Sequence, residues 1–215
     1  MRSILQPADP AAPAATRMVW LPGAYHSAQE ILDAGFSQAL AARRLSLDLT
    51  LVDLELEHVN DRRPLARLRS EIVLPAREAG ASVWLAGISL GGFFALEYAA
   101  THPEDLDGLC LLAPYLGNRM LTGEIAGARG VAEWRPGELA ETDEERRIWR
   151  YIKSRCADSP PLYLGFGRED RFAAAHRLLA EVLPADSVAV IDGGHDWRTW
   201  SRLWEKFLDL RFRSA

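Results

Sequence analysis

An α/β architecture is predicted here: a mostly parallel, doubly wound sheet of about six or seven strands, helices on both faces and a small insertion. Three features of the sequence predict it. Short apolar runs alternate with helix-patterned stretches along nearly the whole chain. One run, Gly108 to Leu112, is almost wholly apolar, as strands buried on both faces of a parallel sheet are. Glycine and proline punctuate the junctions, as at Pro22-Gly23, Gly80 and His102-Pro103. Parallel neighbours need a crossover that packs back on the sheet, and the helices supply it.

Met1 to Thr16 reads as an arm, because the Ala-Pro stretch from Pro7 to Ala15 cannot hold a regular helix, with a short edge strand near Ile4. Strands are then expected at Met18 to Leu21 and at Leu47 to Leu54, the second after a helical stretch ending near Arg44. A helix from about Leu65 to Ala79, closed by a left-handed Gly80, leads to a strand from Ser82 to Gly87. A small-residue helix, Leu90 to Thr101, stops at His102-Pro103 before the Gly108 strand. Pro161 to Gly165 and Ser187 to Ile191 are the last two core strands, separated by a helix from about Phe172 to Leu183. An amphipathic helix from about Trp197 to Phe212 ends the chain, and its tryptophans at 197, 200 and 204 have core-packing spacing.

Tyr115 to Ser159 breaks this rhythm. It holds a Gly-rich stretch from Gly117 to Gly130 and a charged helix, about Glu138 to Lys153, with Ile148, Trp149 and Ile152 on one face. It reads as an insertion into a single domain spanning residues 1–215: either a helix packed by that stripe or a cap over a pocket.

Composition narrows the function. At 215 residues, 48% hydrophobic and 26% charged, the chain suits one globular core, and its net charge of −5 lacks the basic surplus of a nucleic-acid binder. No apolar run approaches membrane-spanning length, and Cys110 and Cys156 form neither a disulfide framework nor a zinc spacing. A soluble cytoplasmic protein is expected, with no nucleic-acid partner and no membrane insertion. Glu55 to Asp61 offers metal-ligand residue types without convergent spacing and reads as a solvated loop, so no metal site is expected. No phosphate-loop or Gly-x-Gly-x-x-Gly pattern calls for a nucleotide, so no cofactor is expected either.

The chemistry concentrates in Gly87-Ile88-Ser89-Leu90-Gly91-Gly92, at a strand-to-helix junction. A serine on so tight a turn needs glycines two residues before and after it, and the turn presents its hydroxyl at the carboxyl edge of the sheet. The serine also needs a base. Of the five histidines, His195, in Asp192-Gly193-Gly194-His195-Asp196-Trp197 after the last strand, is best placed to reach it; His26, His58, His102 and His176 lie in loops or helices. Asp170, after the Gly165-Phe166-Gly167 bend, is the candidate to orient the base, with Glu169 and Asp196 as rivals. Leu90, directly after the serine, is a candidate backbone donor for an oxyanion. Tyr25, and Tyr115 where the insertion begins, are candidate substrate contacts.

These motifs together resemble the α/β-hydrolase superfamily from Val19 to the last helix. The Gly193 to Trp200 run, with His195, Trp197 and Trp200, is similar to the ending of many bacterial esterase-like serine hydrolases. The resemblance implies that the Leu21 to His26 loop gives the second oxyanion amide, by position that of Ala24, with Tyr25 as the alternative; Pro22 stands where a histidine often precedes the glycine, a mild departure. The resemblance implies a serine hydrolase that cleaves a small-molecule carboxylic ester or thioester through an acyl-enzyme, without a cofactor. Acyl transfer, other chemistry on the same three side chains, and a non-catalytic binding module are the alternatives.

Overall fold

The computed structural model describes residues 1–53, 63–138, 140 and 142–212. Its sheet runs β1 (Ser3–Gln6), β3 (Asp48–Val52), β2 (Thr16–Leu21), β4 (Ser82–Ile88), β5 (Gly108–Leu112), β6 (Leu162–Gly167), β7 (Val188–Ile191) in spatial order. Only the arm strand β1, at the edge, is antiparallel, pairing Ile4 with Leu51 on β3; all other neighbours are parallel. The expected strands are therefore all present, and the arm supplies the seventh.

Alternation along the strands divides the core between two faces. Met18 and Trp20 of β2 share one face with Leu49, Leu51, Ala86, Ile88, Cys110, Leu112 and Tyr163. Against it pack α1 (Ala28–Asp33), α2 (Phe36–Ala42) and α9 (Trp197–Arg211). The α9 stripe of Trp200, Leu203, Trp204, Phe207 and Leu208 is buried. Trp204 stacks on Phe36 at 5.5 Å, meets Trp20 edge-on at 5.2 Å, and donates its indole N–H to the Phe36 carbonyl at 3.0 Å. Val19, Leu21, Val83, Leu85, Leu109, Leu111, Leu162 and Leu164 line the opposite face. There α5 (Leu90–Thr101) is buried on nearly every side, between the sheet and the insertion helix α7 (Glu144–Ser154).

Helix boundaries depart from expectation for local reasons. The stretch ending near Arg44 is two short helices broken at Ala34-Gly35 rather than one. The 65–79 helix is α3 (Arg63–Leu68) and α4 (Leu74–Glu78) joined by a π-helical turn, Arg69–Val73. Pro75 lacks an N–H and its ring crowds the carbonyl four residues back, and the widened turn accommodates it. Gly80 ends the helix at φ +84°, as expected. The charged insertion helix begins at Glu144, six residues later than expected, where the Asp143 side chain accepts from the Arg146 N–H. The Gly-rich stretch contains a helix that was not anticipated, α6 (Arg119–Gly127). Asn118 caps it, and buried Leu121 and Ile125 pack its inner face. The expected loop at Glu55–Asp61 lies outside the described residues. No helix among the described residues is long and apolar enough to cross a membrane.

One buried titratable group sits in this packing. His176, on α8 (Ala173–Ala180), is fully buried against Phe166, with Nε2 at 2.9 Å from the Pro114 carbonyl. That acceptor needs a proton on Nε2, which the neutral ring supplies. Burial pushes the His176 imidazole down to about 4 from an ordinary value of 6.5, against the pull of the Asp170 carboxylate and the Pro114 hydrogen bond. The folded chain thus binds fewer protons than the unfolded chain between these values, and stability falls as pH drops through that window. Urea unfolding from pH 7 to pH 4 is expected to show about 3 kcal/mol of lost stability from this group. The His176→Gln variant is expected to show a correspondingly flatter profile; a parallel loss in the variant would assign the acid sensitivity elsewhere.

Candidate active site

The site forms where β4 turns into α5. Ser89, between them, takes φ 52° and ψ −114°, a backbone conformation strained for a side-chain-bearing residue. The neighbours hold it there. Its N–H donates to the Leu112 carbonyl at 3.1 Å, and its carbonyl accepts from Gly92, Phe93 and Tyr115 at 3.0, 3.3 and 2.8 Å. The flanking glycines are required by contact. A Cβ on Gly91 would lie 2.1 Å from the Leu21 carbonyl oxygen, and one on Gly87 would lie 2.3 Å from the Gly91 backbone. The first turn of α5 is thus pressed onto the end of β2.

From that turn the Ser89 Oγ stands 2.9 Å from His195 Nε2, and His195 Nδ1 stands 2.8 Å from Asp170 Oδ2. The second Asp170 oxygen accepts the Phe172 N–H at 2.8 Å. Nδ1 faces a carboxylate, so the neutral ring carries its proton there and leaves Nε2 free to accept from the serine hydroxyl. The Asp170 side chain is wholly buried and that of His195 is 10% exposed. Burial acts to raise the Asp170 carboxyl, but the His195 hydrogen bond, the Phe172 amide and the nearby imidazole charge outweigh it and hold the group below the usual range. Asp170 therefore stays ionised opposite the ring.

The two rival carboxylates are engaged elsewhere. Glu169 accepts the Gly193 N–H at 2.6 Å, and Asp196 accepts the Thr199 N–H at 2.9 Å as the N-cap of α9. The other described histidines have other partners. His26 bonds Glu30 at 3.0 Å, His102 lies beside Glu104, and His176 bonds Pro114. His58 falls outside the described residues.

Both candidate oxyanion donors flank Ser89. Leu90 opens α5, where first-turn amides have no partner within the helix. On the other side Gly23 to His26 forms a tight turn closed by a 3.1 Å bond from the His26 N–H to the Gly23 carbonyl. A Cβ on Gly23 would lie 3.5 Å from the Ser89 Cβ, which places this turn, with Ala24 in it, beside the serine. Tyr25 takes φ 64° and is 92% exposed, at the outer edge of the turn.

Aromatic side chains surround the imidazole. Phe172 and Trp200 meet the His195 ring edge-on at 5.2 and 5.0 Å, and Tyr115 meets Phe172 at 5.8 Å. Tyr115 Oη donates to Glu145 on α7 at 2.7 Å, which ties the wall to the insertion. Burial, with help from Glu145, pushes the Tyr115 phenol well above its ordinary range, so it remains a donor. Trp200 was expected as core packing alone; it is buried in the core and also walls the imidazole. Phe172 and Glu145 carried no signal in the sequence, because their roles arise only when distant loops meet. Beyond Tyr115 and Phe172 opens a cleft of about 630 Å3 between α6 and α8.

No protein-family model matches the chain, and comparison of its sequence with characterised proteins finds no match. Comparison of structures does find likeness. FphF, a fluorophosphonate-binding serine hydrolase of Staphylococcus aureus, superposes with a TM-score of 0.64 over 91% of this chain and 82% of its own, at 14% identity. Est1E from Butyrivibrio proteoclasticus gives a TM-score of 0.65 over 96% of this chain and 92% of its own, at 12% identity. A monoacylglycerol lipase of Paleococcus ferrophilus gives 0.61 over 97% and 98%, at 15% identity. With a mostly parallel seven-stranded sheet flanked by helices, and superposition on these structures over most of its length, this chain has the α/β-hydrolase fold.

Proposed function

We propose that this chain is a cofactor-independent serine hydrolase that cleaves carboxylic esters or thioesters through an acyl-enzyme. The observation that carries this reading is the relay of Ser89, His195 and Asp170, closed by contacts of 2.9 and 2.8 Å. In this reading Ser89 Oγ attacks the acyl carbonyl while its proton passes to His195 Nε2, and the ionised Asp170 stabilises the imidazolium that forms. The amides of Leu90 and Ala24 receive the developing oxyanion at the foot of α5, where fixed donors need no reorganisation. Collapse breaks the acyl–oxygen or acyl–sulfur bond, and His195 returns the proton to the departing alcohol or thiol. Water then attacks the acyl-serine with His195 as base, the acid leaves, and Ser89 recovers its proton. The edge-on rings of Phe172 and Trp200 fix the imidazole between these two transfers.

A fluorophosphonate probe is expected to label wild-type chain and not Ser89→Ala, and Ser89→Ala is expected to abolish turnover of p-nitrophenyl butyrate and of a matched thioester while the fold persists. Asp170→Asn is expected to lower kcat by about a thousandfold or more, because the ring then loses both its tautomer and its counter-charge. Labelling that survives in Ser89→Ala would reject Ser89 as nucleophile. Ser89→Gly removes the nucleophile and the backbone strain together, so it is expected to unfold about 1 kcal/mol later than Ser89→Ala in urea. Equal midpoints would show that the turn stores no strain at this position.

A further inference from the structure

The cleft between α6 and α8 has apolar walls, formed by Tyr115, Phe172, Ala126 and Leu178, and two cations, Arg119 and Arg171. Its charge is out of keeping with the molecule, whose net charge is −5. Neither guanidinium has an ion-pair partner among the described residues, and the Arg171 guanidinium sits 4.9 Å over the Phe172 ring. The carboxylate beside this wall, Glu145, is already committed: it accepts from Tyr115 Oη at 2.7 Å and from the Asn118 backbone and side-chain N–H groups at 3.0 and 2.6 Å. One aromatic ring separates Arg171 from the relay, since Phe172 also meets His195 at 5.2 Å.

We infer that this cleft selects esters bearing a carboxylate remote from the scissile carbonyl, with Arg119 and Arg171 holding the carboxylate and the apolar walls holding the carbon segment between. This rests on the hydrolase reading above and names the substrate class of the same site. A planar guanidinium receives a carboxylate through paired N–H donors, and two of them at one mouth favour a single anion over a neutral chain end. A positive mouth on a negative molecule also draws anionic ligands toward this cleft, whose Phe172 wall abuts the His195 ring.

The test compares mono-p-nitrophenyl esters of succinate, adipate and suberate with p-nitrophenyl butyrate, hexanoate and octanoate. The pair of 4-acetoxybenzoate and phenyl acetate places the charge on the leaving group instead. For each pair the ratio of kcat/KM, charged over neutral, is measured in wild type, Arg119→Gln, Arg171→Gln, the double variant and Arg171→Lys. Intrinsic reactivity cancels between enzymes. The ratio for at least one pair is expected to fall about tenfold in each Gln variant and about a hundredfold in the double variant, through KM, and to be kept only in part in Arg171→Lys, whose ammonium retains the charge but not the paired donors. The wild-type ratio is expected to fall as salt is raised, because exposed cations are screened, and this readout does not depend on any variant folding. Ratios that match in wild type and the double variant, or a wild-type ratio indifferent to salt, would overturn the inference and leave the hydrolase reading standing. Failure of wild type to cleave any of these esters, together with no fluorophosphonate labelling, would overturn both.

Discussion

The close approach of α5 to the end of β2 is the constraint on which the site depends. With no side chain at Gly91, the first turn of the helix rests on the Leu21 and Pro22 carbonyls; with none at Gly87, the strand turns back without collision. The residue between is forced to positive φ, and a strained residue persists only when its surroundings over-determine it. Four hydrogen bonds do so here. They tie Ser89 to β5, to its own helix and to the Tyr115 segment. The same compression brings the Gly23–His26 turn beside Ser89, where a Cβ on Gly23 would lie 3.5 Å from the Ser89 Cβ.

A second contact fixes the remaining geometry. A Cβ on Gly167 would lie 2.0 Å from the Gly193 carbonyl oxygen, so the loops after β6 and β7 run against each other. Hydrogen bonds join them: Arg168 N–H to the Ile191 carbonyl at 2.8 Å, Glu169 N–H to the Gly193 carbonyl at 3.1 Å, and the Gly193 N–H back to Glu169 at 2.6 Å. With both loops joined at their bases, Asp170 and His195 meet without either being carried on a free strand of chain. Their precision is a property of the sheet edge, which is why the rigid scaffold matters to loop-borne chemistry.

The insertion is anchored to this frame. Trp149 donates to the Leu116 carbonyl at 2.7 Å, and Lys153 donates to the carbonyls of Val131, Ala132 and Trp134 at 3.1, 2.5 and 2.6 Å. Arg147 of α7 pairs with the buried Glu97 of α5 at 3.1 Å, so the 115–159 segment and the elbow helix are joined through a partly buried ion pair. Breaking one partner of such a pair leaves a buried charge uncompensated, which couples the position of α7 to α5. Glu145, two residues before Arg147 on α7, then sets Tyr115 beside the imidazole wall.

The sequence by itself determined the alternation of strands and helices, the Gly-x-Ser-x-Gly turn, and the shortlist of groups able to serve the serine. Each of these is local: periodicity, glycine at fixed offsets, and residue types just past strand ends. Tertiary structure decided what depends on meetings between distant segments. It put Asp170 on His195 while Glu169 and Asp196 went to backbone amides. It drew a helix from the Gly-rich 119–127 stretch by burying Leu121 and Ile125, which outweighed the weak helical preference of glycine. It also placed Phe172 and Trp200 around the imidazole and left Arg119 and Arg171 facing one cleft. Backbone rules act over a few residues, whereas pairing and charge in a pocket are set by which loops the sheet brings to its carboxyl edge.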